Sequence, residues 1–340
     1  MEKLRFGIIG CGSIAAGSFA PSLLESAKAE LVAVCRRDLA LAGEFARQFG
    51  DCAAYGSAAE LLDDERVQAV IVATPTDTHC EYSVLAAEKS KHVLCEKPMA
   101  HNAAECRQMI QACRRNGVKI GVAYRRRLFP QVLKAKELIA AGRIGPVVCA
   151  RTHYSGWSGW SAWNGGADDN WRTRPEIGGA MMEMAVHRLE VLLHFGGTPA
   201  RVAAMVETIH HDWPVDDTDA LLLQFEGGLI GLHSTILTSK PRRDLAQIDG
   251  TEGKIYIDPL EFHVDHIKLE TESGVEQVGV EPLENPYFDL PMIDDFVNAV
   301  REDREPVCDG PTGFRVQATV DAAMAAASCG RTMDIEAWSE

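Results

Sequence analysis

The fold of this chain is decided by residues 4–15, Leu4-Arg-Phe-Gly-Ile-Ile-Gly10-Cys-Gly12-Ser-Ile-Ala15. The first six residues are mostly apolar and predict a buried strand, and an apolar helical segment follows the last of them. Between strand and helix lies the spacing G-x-G-x-x-A, which is typical of a turn that binds a dinucleotide. Gly10 permits the tight turn, Gly12 lets the backbone approach a pyrophosphate, and Ala15 allows the helix to pack closely on the strand.

The first residues of that helix add a second reason to expect an anion here. Ser13 and Ile14 carry backbone N–H groups that have no partner inside the helix. These groups and the helix dipole favour a negative charge at the N-terminus. We therefore predict that Gly10, Gly12, Ser13 and Ile14 hold the pyrophosphate.

The next predicted strand, residues 31–35, decides between the two nicotinamide dinucleotides. Sites for NAD(H) usually place Asp or Glu after this strand, where it accepts a hydrogen bond from the ribose 2′-OH. This chain has Arg36-Arg37-Asp38 instead. Two guanidinium groups suit a 2′-phosphate by bidentate pairing and stacking. We predict NADP(H) as the favoured cofactor, and NAD(H) stays possible if Asp38 binds the ribose and the arginines lie in a solvated loop.

Strand and helix patterns continue to alternate as far as residue 122. Further strands are predicted at 53–55, 69–73, 92–95 and 118–122, and helices at 39–49, 78–89 and 101–116. This alternation is typical of an α/β fold with a doubly wound parallel sheet.

Ligands of such sheets bind outside the carboxyl ends of the strands. The polar and turn residues that follow strands 69–73 and 92–95 are Thr74, Pro75, Thr76, His79, Glu96 and Lys97. We predict that they contact the cofactor, and that Lys97 also reaches the substrate.

The pattern of predicted elements changes after Tyr124. A helix is predicted at 130–141, followed mainly by strand-like segments at 146–154, 200–208, 219–226, 229–238, 244–249 and 254–258. Glu226-Gly-Gly228 between two of these segments indicates a hairpin. Helices at 290–303 and 312–329 end the chain. The sequence therefore predicts two domains, 1–123 and 124–340, and the second mixes strands and helices.

Composition excludes several classes of function. The chain has 340 residues, with 34 Lys and Arg against 49 Asp and Glu, which gives a net charge of −15 and no basic footprint for general nucleic-acid binding. Ten cysteines without a C-x-x-C pair indicate reduced thiols in a cytoplasmic protein. No run approaches the roughly 18 apolar residues of a membrane span. We therefore predict a soluble protein. Pairs such as His210-His211 lack the spacing of metal ligands, so we predict no metal site.

The loop at 155–179 is unusual because it holds four of the six tryptophans among Gly, Ser and Asn residues. Long loops of this kind usually have a function or are disordered. Because aromatic faces suit the C–H faces of sugars, we predict that Trp160 and Trp163 line a substrate. The alternative is that the tryptophans only bridge the two domains.

Gly178-Gly179 ends this loop, and a helix is predicted to begin near Ala180. Residues four apart share one face of a helix, so Glu183 and His187 project together. A lone helical histidine is more often structural than catalytic. A carboxylate one turn before it can orient the imidazole and tune its basicity, which favours general acid–base chemistry.

Together these motifs resemble those of the glucose–fructose oxidoreductase / inositol dehydrogenase / MocA (Gfo/Idh/MocA) family. The matching elements are Gly10-x-Gly12-x-x-Ala15, Thr74-Pro75-x-x-x-His79, Glu96-Lys97-Pro98, Tyr124-x-x-Arg127 and Gly142-x-Ile-Gly145. The resemblance covers essentially the whole chain. It implies a Rossmann domain followed by an α/β domain built on a large, mostly antiparallel open sheet. Because that sheet often serves as an oligomer interface in the family, a dimer or tetramer is expected.

The resemblance also implies an activity. Family members mostly move hydride between the nicotinamide and a carbinol or carbonyl carbon of a sugar, sugar derivative or cyclitol. The histidine matching His187 is the usual acid/base, Lys97 would stabilise the substrate oxygen, and Glu183 stands where the family has Asp.

Other positions are carried over from the same family. Residues matching Trp171, Arg172 and Tyr287 approach the cofactor, and Tyr124 and Arg127 are candidates for binding substrate hydroxyls. Three alternatives stay open at this point: a non-catalytic dinucleotide-binding regulator, a redox-assisted glycosidase with retained NAD, and an enzyme for a non-sugar such as a dihydrodiol or a linear tetrapyrrole.

Overall fold

A computed structural model describes residues 2–157, 171–175, 177–261, 263–284 and 287–338. The chain forms two compact units. The first contains Met1–Arg125 and Glu284–Phe314, and the second contains Arg126–Leu283 and Arg315–Glu340. By contact, the segment 284–314 thus joins the first unit, although the sequence division at 123/124 assigns it to the second domain.

The first unit is built on a six-stranded sheet. Its strands are β1 (Leu4–Ile9), β2 (Ala29–Cys35), β3 (Ala53–Tyr55), β4 (Ala69–Val72), β5 (His92–Cys95) and β6 (Ile120–Val122). All neighbouring strands are parallel, in the order β3-β2-β1-β4-β5-β6. This is the Rossmann order, in which the direction of winding reverses between β1 and β4. The predicted doubly wound parallel sheet is confirmed.

The helices follow the predicted alternation. They are α1 (Ala20–Glu25), α2 (Leu39–Gln48), α3 (Ala58–Asp63), α4 (His79–Glu88), α5 (Ala103–Arg115), α6 (Pro130–Ala140), α7 (Val186–Gly196), α8 (Leu290–Arg301) and α9 (Gly310–Cys329). The sequence interpretation missed the short α3. Ser57 and Glu60 form a capping box at its start, and this S-x-x-E spacing is a signal that could have revealed it.

The helix after the glycine-rich turn is not a regular α-helix. It begins at Ser13, makes a π turn over Ala15–Phe19 and continues as α1. Pro21 lies in its second half and has no N–H to donate along the helix axis. The continuous helix expected here is therefore interrupted, and turns of this wider kind often occur at functional sites.

The second unit contains a nine-stranded sheet. Its strands are β7 (Val147–Trp157), β8 (Pro199–Glu207), β9 (Thr218–Phe225), β10 (Ile230–Ile236), β11 (Thr238–Gly250), β12 (Gly253–Ile257), β13 (His266–Thr271), β14 (Gly274–Gly279) and β15 (Met333–Asp334). The order is β14-β13-β12-β11-β7-β10-β9-β8-β15, and only β7 and β10 pair in parallel. The large, mostly antiparallel sheet implied by the family resemblance is confirmed.

Two hairpins of this sheet differ in whether the sequence predicted them. Gly227 and Gly228 turn between β9 and β10 with φ of 86° and 93°, as the hairpin signal predicts. The hairpin of β13 and β14 was missed because β14 is exposed along nearly its whole length. A strand without a buried face lacks the alternation on which strand prediction depends.

Helix α7 packs on β7 and β10 and covers one face of the sheet. The ring of Phe225 fits between the backbone of Gly196 and that of Gly231, where a Cβ would lie 2.5 Å and 2.6 Å from the ring. The helix carrying the predicted acid/base is thus held at a fixed distance above the strands.

Two further observations concern membrane spans and cysteines. In the described ranges, no helix is both long and apolar enough to cross a membrane. All ten cysteines are described, and each carries a free thiol.

Candidate functional site

The turn after β1 has the geometry that a pyrophosphate site needs. Gly10 has φ of 102°, and a Cβ there would lie 2.6 Å from the carbonyl oxygen of Ala73, just past the end of β4. Gly12 is exposed, and a Cβ there would meet nothing within 4 Å. The turn is therefore pressed against β4 at one glycine and opens outward at the other, beside the helix that starts at Ser13. A dinucleotide phosphate fits these residues.

The residues after β2 are two exposed arginines and an aspartate that caps a helix. Arg36 is exposed, and its Nη1 donates to the carbonyl oxygen of Cys11 at 3.3 Å, which holds the guanidinium next to the glycine-rich turn. Asp38 uses its Oδ1 to cap α2, accepting from the N–H groups of Ala40 and Leu41. Arg37 is also exposed. The acidic alternative is thus engaged in a helix cap, whereas both arginines are accessible to a ligand.

The loop after β4 is tied to the loop after β5 by one imidazole. His79 is buried, and its Nδ1 lies 2.9 Å from the carbonyl oxygen of Pro98 while its Nε2 lies 2.8 Å from that of Thr74. Burial lowers the pKa of His79. The ring thus uses both nitrogens to position backbone, although the sequence predicted a cofactor contact.

The other predicted residues of this loop lie beside it. Thr74 receives a hydrogen bond from the hydroxyl of Thr78 at 2.8 Å. Thr76 is 1% exposed, and its hydroxyl has no hydrogen-bond partner among the described residues. Buried polar groups of this kind are uncommon in proteins.

Glu96 and Lys97 follow β5, as predicted. Glu96 is buried, and its carboxylate accepts the backbone N–H of Lys97. Burial, and to a smaller extent Asp289, raise the pKa of Glu96 to about 6 against the opposing charges of Lys97 and Arg125. Lys97 is half-buried, and its peptide bond to Pro98 is cis. The sheet therefore presents the lysine at its carboxyl edge.

A polar network of the first unit was missed by sequence reasoning. Arg125 donates to Asp289 at 2.9 Å, Ser18 donates to the other oxygen of the same carboxylate, and the guanidinium lies 4.6 Å from the ring centroid of Phe288. Asp289 is fully buried. The three polar partners are far apart in sequence and form no motif, so only the fold shows that they contact one another. Tyr287, which was predicted near the cofactor, is half-buried and directly precedes Phe288 in the sequence.

In the second unit, two glycines allow the helix that leads into α7 to start. A Cβ on Gly178 would clash with the carbonyl group of Arg172. Gly179 has φ of 101°, and a Cβ there would clash with the carboxylate of Asp216. The pair therefore lets two other segments approach the helix start closely.

Asp216 caps this helix and was not predicted. Its backbone carbonyl accepts from the N–H of Ala180 at 2.9 Å, and its carboxylate accepts from the N–H of Met181 at 2.8 Å. Burial raises the pKa of Asp216 to about 6, and the neighbouring Asp217 adds to the rise. A cap so distant in sequence leaves no local signal at the helix start.

Glu183 and His187 lie on the helix as predicted, and both are buried. The helix makes a π turn over Met181–Ala185, so Glu183 stands in a widened turn. Its Oε2 lies 3.2 Å from Nε of Arg172. The structure thus pairs the predicted carboxylate with the arginine that the family resemblance places near the cofactor.

The remaining predicted substrate residues are placed as follows. Tyr124 is 1% exposed in the first unit. Arg127 pairs with Glu190 inside the second unit, where burial raises the pKa of that carboxyl. Trp160 and Trp163 lie outside the described residues. Trp171 begins a 3-10 turn, and nothing is described of its side chain.

In the described ranges, no three or more His, Cys, Asp or Glu side chains are grouped so that they could hold a metal ion.

Comparison with known proteins agrees with this geometry. Residues 4–124 match the family model described as an oxidoreductase family with an NAD-binding Rossmann fold, and residues 132–256 match the model of the GFO/IDH/MocA C-terminal domain. The chain belongs to the Gfo/Idh/MocA family of oxidoreductases. The NAD-binding Rossmann fold named by the first model agrees with the six-stranded parallel sheet of the first unit.

Two curated relatives illustrate the range of named activities in the Gfo/Idh/MocA family. The chain is 34% identical over 260 residues to the trans-1,2-dihydrobenzene-1,2-diol dehydrogenase of Mus musculus, covering 76% of this chain and 75% of that protein. It is 28% identical over 339 residues to the D-xylose 1-dehydrogenase (NADP(+)) 2 of Haloferax volcanii, covering 98% of this chain and all of that protein.

Solved structures of family members have the same fold over almost the whole chain. The aldose-aldose oxidoreductase of Caulobacter crescentus, complexed with glycerol, aligns with a TM-score of 0.88 at 25% identity, covering 98% of this chain and 100% of that one. A levoglucosan dehydrogenase in complex with NADH and levoglucosan aligns with a TM-score of 0.87 at 26% identity, again covering 98% and 100%.

Proposed function

We propose that this protein transfers hydride between the nicotinamide C4 and a carbinol or carbonyl carbon of a sugar, sugar derivative or cyclitol. The observation that carries the proposal is Lys97, which stands at the carboxyl edge of a Rossmann sheet whose glycine-rich turn fits a dinucleotide. A non-catalytic regulator would have no need of this lysine or of His187. The sugar-acting relatives, named for D-xylose and levoglucosan, support the substrate class.

NADP(H) is the favoured cofactor in this proposal, with NAD(H) possible. Exposed Arg36 and Arg37 and the engagement of Asp38 as a helix cap support it. Relatives differ on this point, since one is named for NADP(+) and another is complexed with NADH. When bound, the nicotinamide accepts or supplies the hydride.

The chain supplies the proton chemistry. Lys97 donates a hydrogen bond to the substrate oxygen and stabilises the negative charge that develops there. His187 takes the hydroxyl proton in oxidation and returns it in reduction. Arg172 pairs with the buried carboxylate of Glu183 near the helix start and so supplies the partner that a buried charge requires. Glu183 in turn orients His187, as the four-residue spacing predicts.

A dihydrodiol substrate is the second candidate. Its support is the mouse relative, which is 34% identical over three quarters of both chains. Lys97 and His187 would act on a dihydrodiol hydroxyl in the same way, so the choice depends on the substrate pocket rather than on the proton chemistry. A redox-assisted glycosidase is less well supported, because Arg36 and Arg37 favour an exchangeable NADP(H).

The proposal includes the setting of the protein. A homo-oligomer formed through the nine-stranded sheet is expected from the family. A cytoplasmic location agrees with ten free thiols.

The test is a cofactor titration followed by a substrate screen. Fluorescence titration with NADPH and NADH gives the two dissociation constants. Aldoses, ketoses, cyclitols and a trans-dihydrodiol are then screened for a change in nicotinamide absorbance. Lys97→Ala should keep its cofactor affinity within about twofold and lose 10³-fold or more in turnover, roughly 4 kcal/mol of transition-state stabilisation.

Lys119→Ala is the matched control, because this lysine lies in the same unit and pairs with exposed carboxylates. Turnover of Lys97→Ala equal to that of the wild type would refute the role of the lysine. NADH binding much more tightly than NADPH would refute the cofactor preference.

A further inference from the structure

Beside the helix that carries Glu183, the second unit displays a cluster of aromatic and basic side chains. We call it the aromatic platform, and it consists of Trp157, His210, His211, Trp213 and Lys240. Trp157 ends β7, the histidines and Trp213 lie between β8 and β9, and Lys240 is in β11. The acid–base chemistry proposed above uses none of these residues.

The rings of the platform contact one another closely. His211 and Trp213 stack with centroids 3.7 Å apart and planes 8° apart. Trp157 lies 5.2 Å from the ring of His210 and 5.4 Å from that of His211. Nζ of Lys240 is 4.8 Å from the centroid of Trp157, within the range of a cation–π contact.

The backbone under the platform is held by one carboxylate. Asp217 accepts hydrogen bonds from the N–H groups of Ile209, His210 and His211, each at 2.9 Å. It is fully buried, and it also lies 3.3 Å from Nδ1 of His211. The histidines are therefore fixed before any ligand binds, which lowers the entropic cost of binding.

The platform has binding capacity that the described residues leave unused. Trp157 is 48% exposed, and His210 and Lys240 are exposed as well. Nε2 of His211 is buried without a hydrogen-bond partner in the described part of the chain. Within the same part, Lys240 forms no ion pair. A single exposed tryptophan is ordinary on a protein surface, but a fixed cluster of four rings with an exposed lysine beside it is not.

The platform begins next to the proposed catalytic helix. Trp213 and Met184 both pack on the buried cluster of Tyr154, Ala180, Val215 and Leu237. Met184 follows Glu183 directly, and Ala180 starts the same helix. The platform and the helix that carries Glu183 are therefore packed on the same buried cluster, and a ligand on the platform would lie beside that helix.

We propose that the aromatic platform is a saccharide subsite that stacks a second sugar ring, so that the substrate is a disaccharide or a larger glycoside. The inference rests on the proposed function and makes its substrate class more specific. Indole faces cover the apolar C–H face of a pyranose, and imidazole and ammonium groups at the edge bond its hydroxyls. Aromatic side chains with a small number of placed polar groups are the usual lining of small-molecule sites.

The experiment compares Trp157→Ala with wild type on a matched pair of substrates. The pair is the best monosaccharide from the screen and a disaccharide that carries it at the reacting end. We expect the ratio of kcat/KM for disaccharide over monosaccharide to fall about tenfold or more, as loss of one stacked aromatic face predicts. His210→Ala should lower the same ratio by a smaller factor.

Tyr256→Ala is the control. Tyr256 in β12 also has a lysine ammonium over its ring, that of Lys268 at 4.6 Å, but it is not part of the platform. Its ratio should equal that of the wild type. Circular dichroism and the thermal midpoint establish that each variant folds.

Several outcomes would overturn the inference. An unchanged ratio in both Trp157→Ala and His210→Ala would do so, as would an equal loss on both substrates. A change of oligomeric mass in Trp157→Ala would assign the platform to a contact between copies of this chain.

Failure of the proposed function gives a different result. If the wild type oxidises no sugar at all, disaccharide binding is followed instead by ligand-observed NMR. Binding that is lost in Trp157→Ala and kept in Tyr256→Ala would then support the platform alone, and binding equal in both would refute it.

Discussion

At the carboxyl ends of β4 and β5, single side chains hold the loops in place through hydrogen bonds to the backbone. The His79 imidazole joins the carbonyl groups of Thr74 and Pro98, and the Glu96 carboxylate holds the backbone of Lys97. Neither interaction needs a ligand. The lysine is therefore positioned by the protein itself, which is what a group that stabilises developing charge requires.

Arg36 is the residue on which the cofactor preference depends. Removing its guanidinium in Arg36→Ala deletes a charge-assisted pair with the 2′-phosphate, worth about 1.5–3 kcal/mol. We expect the dissociation constant of NADPH to rise about ten- to a hundredfold, and that of NADH to change little. Fluorescence titration measures both.

Arg47→Ala is the matched control, since this arginine is a basic residue in the last turn of α2. Equal losses for both cofactors in Arg36→Ala would show that the arginine does not read the 2′-phosphate.

Glu96 predicts the acidic limb of the activity profile. Its pKa is raised to about 6 by burial and by Asp289, against Lys97 and Arg125. Below this pH the carboxyl becomes neutral and no longer offsets the charge of the lysine. We expect kcat/KM of the wild type to fall as the pH drops through about 6.

Glu96→Gln should lose this limb, because the amide does not titrate, and should be less active at pH 8. Glu88→Gln, an exposed position at the end of α4, should keep the wild-type profile. A full acidic limb in Glu96→Gln would assign the titration to another group.

At the scale of elements, the helix that carries Glu183 and His187 depends on partners outside itself. Its start is capped by Asp216 and packed through Gly178 and Gly179. Its π turn places Glu183 within reach of Arg172. The position of the proposed acid/base is thus set by segments on both sides of it in sequence.

Asp216 makes the stability of this element depend on pH. Burial raises its pKa from 3.8 to about 6, so the folded state binds the proton more tightly than the unfolded state does. The resulting stabilisation is full below the unfolded pKa and is lost as the pH rises through about 6.

In Asp216→Asn the side chain keeps an acceptor for Met181 and carries no charge. We therefore expect the free energy of unfolding of Asp216→Asn, relative to that of the wild type, to increase from pH 4 to pH 7 by up to roughly 3 kcal/mol. Urea unfolding across this range measures the difference. Asp212→Asn, an exposed neighbour, should show no such trend. A constant difference across the range would contradict the prediction.

At the scale of the whole molecule, the nine-stranded sheet has one face under α7 and apolar side chains on the other. Met205, Leu222, Ile230 and Leu232 are 78%, 50%, 39% and 40% exposed. They lie on three adjacent strands, and Leu222 pairs directly with Leu232. Clustered apolar exposure of this kind typically marks an interface.

We predict a homo-oligomer formed through this face. Leu222→Lys would place a charge in the middle of the contact, so light scattering after gel filtration should show a monomer where the wild type gives a dimer or tetramer. Val275→Lys on β14 is the control, since Val275 is 59% exposed but lies four strands beyond β7 in the sheet. A monomeric wild type would exclude the prediction.

The sequence by itself determined the architecture of this protein, because the relevant signals are local. The spacing of Gly10, Gly12 and Ala15 between a strand and a helix fixed the dinucleotide turn. Alternating strands and helices predicted the parallel sheet, and strand ends identified Lys97. Because residues four apart share one face of a helix, the sequence also predicted that Glu183 and His187 project together.

Only the tertiary structure decided which partners these residues have. It paired Glu183 with Arg172, capped the helix of the proposed acid/base with Asp216, and joined Ser18 and Arg125 through Asp289. It also assembled the aromatic platform from the end of β7, the connection between β8 and β9, and β11. Each of these contacts joins residues that are distant in the chain, and periodicity carries no information about them. They form because buried charges and backbone groups require partners, and only the folded chain determines which partner is near.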